Sequence, residues 1–163
     1  MKELLDKITS YNLFNYLLPG VIFAVLASTF TEIDLIQDDV ITGAFLYYFI
    51  GIIVSRFGSL FFEPFLKWSK FVRFENYENY LLACEKDSKI ESLLETSNMY
   101  RTFAALFASL LSLKAYLAVE RTLPTLGEYR AWVAIIFLLG LFLFSYRKQT
   151  KHIASRIRKI SNE

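Results

Sequence analysis

Cysteine and histidine occur once each in this chain, as Cys84 and His152. One cysteine cannot close an intramolecular disulfide, and one histidine without a second beside it leaves little for zinc or acid–base work. No Ser-His-Asp or Cys-His arrangement, HExxH helix or phosphate loop can be assembled from the residues present, so the chain is read as non-enzymatic and without a cofactor or metal. Charge is missing over four long stretches: Ile8 to Thr31, Val40 to Ser55, Thr102 to Leu113 and Ala131 to Tyr146. Soluble helices seldom run so far without one. The net charge of +2 is too small to argue for nucleic acid, which is not an expected partner.

What is abundant points to lipid: 55% of the 163 residues are hydrophobic and 17% aromatic. A helix needs about 20 apolar residues to cross a hydrocarbon core of about 30 Å, because backbone amides cannot be left unpaired there. Four runs meet that length, at about 13–31, 40–62, 102–119 and 129–146. The second reaches it only by continuing through Arg56. Tyrosine and tryptophan gather near the run ends, where amphipathic rings prefer the headgroup level.

Lysine and arginine alternate across these runs, with two before the first span, none between the first and second, seven from Arg56 to Arg101, three from Lys114 to Arg130 and six from Arg147 onward. Positive residues stay on the cytoplasmic side, so both termini and the 63–100 segment are expected there. Val25-Leu26-Ala27 before Ser28 resembles a signal-peptidase site. Pro19-Gly20 inside the run, the acidic Glu3 and Asp6 and the length of the run favour a retained span.

The connection at 31–39 carries four carboxylates but lacks the ligand spacing of a calcium loop. After the second span, Lys67, Trp68, Lys70 and Arg73 alternate with phenylalanines, a pattern suited to an interfacial segment against anionic headgroups. Residues 75–96 suit a solvated helix or pair of short helices with one apolar face. The tail spaces Ile153, Ile157 and Ile160 on one side of a helix among Arg156, Arg158 and Lys159. That basic amphipathic helix fits an anchor touching acidic lipid, a docking helix for a protein or a neighbouring subunit, or a nucleic-acid contact. His152 is expected on its surface.

Inside the spans, Asn12 and Asn15 open the first, and Pro19 and Gly20 interrupt it one turn later. A kink packed within a bundle is one reading and a gating bend the other. Small residues form rows at Ala104, Ala108 and Ser112, at Ala105 and Ser109, and at Gly51, Ser55 and Ser59, which makes spans two and three the expected packed centre. Lys114 lies late in its span and can extend outward. Arg56 lies about 24 Å along the second span, at 1.5 Å per residue from Val40, close to its inner end. There it can extend to headgroups, meet Glu63 seven residues on, contact another helix or subunit, or line a conduction path.

Two stretches, KITSYNLFNYLLPGVIF and NMYRTFAALF, resemble small four-pass inner-membrane proteins of bacteria encoded beside phage-defence or CRISPR-accessory genes, such as the membrane subunit of Kiwa-type defence and accessory proteins of Cas13b-type loci. The resemblance implies a membrane effector or sensor that works as a homo-oligomer, by pore formation or with a cytoplasmic protein partner. The other classes open to this sequence are an anchoring subunit of an unrelated complex and a small channel or transporter. The expected fold is a single all-α domain, an integral membrane four-helix bundle with a short cytoplasmic helical segment between spans two and three and a basic C-terminal helix.

Overall fold

The computed structural model describes residues 12–87 and 89–161, and within them the chain is all helix and connection, with no strand. Six helices follow in order: α1 (Leu13–Phe30), α2 (Val40–Trp68), α3 (Tyr77–Lys86), α4 (Lys89–Thr122), the single turn α5 (Thr125–Glu128) and α6 (Arg130–Ser161). Four of them, α1, α2, α4 and α6, are long and apolar enough to cross a membrane.

Helices begin where the sequence supplies caps. The Asp39 side chain accepts from the Thr42 amide at 2.7 Å at the head of α2, and that bond holds the Asp39 carboxyl below the ordinary carboxylate range. Asn76 caps α3 through the Asn79 amide in the same way. In the acidic connection, Asp34 is likewise engaged, by Ser28 and by the Ile36 amide, so two of its four carboxylates organise turns. At the other end of α2, Lys70 adopts a left-handed φ of 61° while the Phe71 amide donates back to Leu66 and the Lys70 amide to Lys67, which closes the helix.

The spans are longer than their charge-free cores. Helix α2 does not stop at Phe62 but continues to Trp68, and α4 starts at Lys89 rather than near Thr102. About half of the expected cytoplasmic segment therefore belongs to the end of α2 and the first three turns of α4, leaving one short helix, α3. Likewise the basic tail is the continuation of α6, a single helix of 32 residues, about 48 Å long at 1.5 Å per residue. Ile153 and Ile157 are exposed along that continuation. The aromatics of the α2–α3 turn, Trp68 and Phe71 among them, are exposed.

The core is made by three helices. Ala24 and Ala27 of α1, Ile50 and Val54 of α2, and Ala105, Leu106 and Leu110 of α4 form one buried cluster. Of the small-residue rows, Gly51, Ser55 and Ser59 are all buried on α2, while on α4 the Ala105 row faces inward and Ala104 and Ser112 face out. Helix α1 belongs to this centre as fully as the other two. A Cβ at Gly20 would overlap the Tyr47 carbonyl of α2, and one at Gly51 the Tyr16 carbonyl of α1, so each backbone rests on the other helix's glycine. That contact, rather than a free gating bend, accounts for Gly20.

Helix α6 stands at the edge. Phe142 stacks on Phe49 at 6.0 Å and Phe137 on Phe61 at 6.4 Å, yet among its described residues only Leu141 is buried. Its exposed surface runs through Trp132, Ile136, Leu139, Leu143 and Phe144, an exterior that water would not tolerate and hydrocarbon would.

Replacing Gly51 with Val overpacks the α1–α2 contact and is expected to destabilise the detergent-solubilised chain by about 1–3 kcal/mol. Gly140→Ala, where an added Cβ meets nothing within 4 Å, does not destabilise it and adds up to about 1 kcal/mol through helix propensity. Thermal or denaturant unfolding of the two variants against the parent reads the difference.

Candidate functional site

Two turns of this bundle depart from α-helical register in the same way. Leu13–Leu17 in α1 and Gly58–Phe62 in α2 are π-helical, and each is followed two residues after its last residue by proline, Pro19 and Pro64. In α2 the Glu63 amide donates five residues back to Gly58 instead of four back to Ser59. The next amide that could serve Ser59 in π register would be residue 64, and proline has none. The Ser59 carbonyl therefore lacks a helical donor in the middle of a bundle, a position that costs free energy unless another group supplies a hydrogen bond. Lys148 of α6 supplies it: its Nζ donates to Ser59 O at 3.0 Å and to Ser59 Oγ at 2.7 Å.

One turn further on, Glu63 is buried although it carries a charge. Both carboxylate oxygens are used, Oε1 accepting from Lys67 and Oε2 from Arg101 of α4, each at 2.8 Å. The second bond ties α2 to α4, while Lys67 also lies 4.1 Å over the Phe74 ring. Deeper in, Thr102 Oγ1 sits 2.9 Å from both Asn15 Oδ1 and the Asn98 carbonyl and 3.5 Å from Ser55 Oγ. These polar side chains come from α1, α2 and α4 and are fully or nearly buried. Beyond them the core is apolar, through Val54, Ala105 and Leu106 to Leu110.

Between this polar layer and the basic end of the bundle lies a cavity of about 510 Å³. Its cations are Arg56, Lys67, Arg101 and Lys148, set against the carboxylates of Glu63 and Glu75. Helix α3 closes one side with Tyr77 and Tyr80, and the Tyr77 ring lies 5.3 Å from the imidazole of His152 on α6. A hydrogen bond to the Cys84 thiol, helped by burial, pushes the Tyr80 phenol up to about 12, so it remains a neutral donor at physiological pH.

The candidates read from sequence divide sharply at this chamber. Arg56 lines it half-buried, and Glu63, one of the contacts open to it, is taken by Lys67 and Arg101. Asn15 lies in the buried layer, with Asn12 half-buried just before the π turn. Pro19 and Gly20 are buried in the α1–α2 contact. Lys114 is exposed at the opposite end, 6.0 Å from the Phe30 ring centroid. Trp68, Lys70, Arg73, Arg156 and Arg158 are exposed outside the chamber, and the Lys159 side chain lies outside the described residues. His152 is exposed as expected, yet it forms part of the rim.

Arg101, Lys148 and Thr102 were not singled out by sequence, because each falls at the edge of a charge-free run, where a polar residue reads as a boundary. Pro64 was the available signal: a proline inside a helical run, five residues after Ser59 at the end of the Gly51 row, implies a carbonyl in need of a donor. No protein-family model, curated protein or solved structure matches this chain.

Lys148→Met is expected to destabilise the chain by about 1–3 kcal/mol by leaving the Ser59 carbonyl unpaired. Pro64→Ala returns an amide to α2, so in that background the same lysine substitution costs less than half as much. A double-mutant cycle measured by unfolding in detergent checks the coupling, and equal costs in both backgrounds would refute it.

Proposed function

We propose that this chain is a non-enzymatic, multi-pass sensor of the bacterial inner membrane, with both termini and the basic end of the bundle in the cytoplasm. The chamber receives a ligand or partner group from that side. The observation that carries the reading is the chamber itself, an assembly of charged and hydrogen-bonding side chains drawn from helices whose remaining surfaces are apolar. Polar groups that are expensive to hold at such depth are usually functional. The orientation follows from the alternation of lysine and arginine along the sequence.

A conduction path through a single copy is disfavoured by the apolar layer of Val54, Ala105, Leu106 and Leu110 above the chamber. A pore of several copies is the second reading, and the observation favouring it is the nearly unburied circumference of α6. A role in antiviral defence, through such a pore or through a recruited cytoplasmic protein, rests on the resemblance of the two stretches around Asn15 and Thr102.

Two measurements test this. In a Cys84→Ser background, a single cysteine at Ile36 should react with an impermeant maleimide in intact spheroplasts, and one at Ser155 only in inverted vesicles; the opposite pattern reverses the orientation. In proteoliposomes holding at most one chain each, no potassium or chloride flux is expected. Flux at single copy overturns the sensor reading, and flux that appears only at many copies per vesicle replaces it with the oligomeric pore. For the defence role, phage plating efficiency with and without the chain is the readout, and no difference across a diverse panel removes it.

A further inference from the structure

The chamber has more positive charge than its own carboxylates neutralise. Glu63 is spent on Lys67 and Arg101, and Glu75 accepts from Asn79 at 3.3 Å. Among the described residues Arg56 forms no ion pair and Lys148 hydrogen-bonds only the neutral Ser59 groups. Arg101 gives one guanidinium nitrogen to Glu63 while its Nε is buried without a hydrogen-bond partner among the described residues. Cations gathered in a half-closed, low-dielectric space repel one another, and the arrangement is relieved by an anion that takes several donors at once.

A second cavity, of about 500 Å³, adjoins the first along the seam between α2 and α6 and shares Leu60 and Lys148 with it. Its remaining lining divides by chemistry: Phe61 and Phe144 are apolar, while Arg147 and Lys151 are basic. An apolar wall ending in a cluster of cations matches a molecule with a hydrocarbon body and an anionic head.

We propose that the chamber and the α2–α6 seam form one binding site for a phosphate-bearing anion. Arg56, Lys148 and Lys151 contact its phosphate oxygens, and the Phe61–Phe144 wall takes any acyl chain attached to it. Phosphate fits better than carboxylate because it offers more acceptor oxygens to donors that converge from two helices. The two sources of that chemistry are an anionic phospholipid entering through the seam and a soluble phosphate compound entering from the basic end. The proposal deepens the sensor reading by naming what the chamber takes.

The test uses the full chain purified in a neutral detergent, with binding read by native mass spectrometry and by the shift in melting temperature. The probes are phosphatidylglycerol, phosphatidylcholine as the zwitterionic control, and pyrophosphate as the soluble arm. Phosphatidylglycerol is expected to bind and raise the melting temperature, with phosphatidylcholine at least tenfold weaker. The double variant Arg56→Gln/Lys151→Gln, which removes no hydrogen bond described here, weakens binding at least tenfold. Arg156→Gln/Arg158→Gln removes the same charge from the exposed end of α6 and leaves binding unchanged.

Saturable, variant-sensitive binding of pyrophosphate with none of phosphatidylglycerol keeps the phosphate site and assigns it to a soluble source. Equal losses from the two double variants, equal binding of both lipids, or no binding by either arm overturns the proposal. These readouts are made on isolated protein and do not depend on orientation or flux. Failure here with the expected labelling pattern and silent vesicles therefore sinks the ligand class alone.

Discussion

Ser59 has a carbonyl that its own helix cannot satisfy. The π turn moves the Glu63 amide to Gly58, and Pro64 brings none, so the acceptor opens sideways from α2 within an apolar bundle. Lys148 answers it from α6. This bond draws the otherwise peripheral α6 onto the three-helix centre at its basic half, and it carries an ammonium to the wall of the chamber. Glu63, one turn on, draws in Arg101 from α4 by the same logic of a polar group that must be met. The site thus begins as a defect in one helix that two others repair.

Close packing elsewhere makes that repair possible. Gly20 and Gly51 let α1 and α2 approach backbone to backbone, and the inward row of α4 fits against both. With the far half of the bundle sealed by alanine, valine and leucine, polar side chains collect where the seal ends. Asn15, Ser55 and Thr102 mark that level, and the charged side chains that line the chamber lie on the basic side of it.

Much of the architecture was legible from residues alone. Runs without charge announced four long helices, and the Gly51, Ser55 and Ser59 row announced a packed face, since both signals depend only on side-chain size and polarity along one helix. Helix ends were less legible. Charges at Glu63, Arg101 and Arg147 looked like the limits of spans, whereas α2, α4 and α6 run on past them because a charged residue with a partner or a water-facing side is no obstacle to helical hydrogen bonding. Arg56 was visible as an anomaly with several contacts open to it, Glu63 among them; that Glu63 is instead met by the guanidinium of Arg101, 38 positions away, is not visible along one helix.

Sequence by itself determined that this chain is helical, that four of its segments are long and apolar enough for a membrane, and that positive charge gathers at one end, because these are sums over local composition. Tertiary structure alone decided which polar groups meet. Asn15 with Thr102, Glu63 with Arg101, and Lys148 with Ser59 join residues 87, 38 and 89 positions apart, and each pairing depends on the rotation of one helix against another. That rotation is set by glycine contacts and by a register shift of a single residue in a π turn, quantities that no periodicity within one helix records.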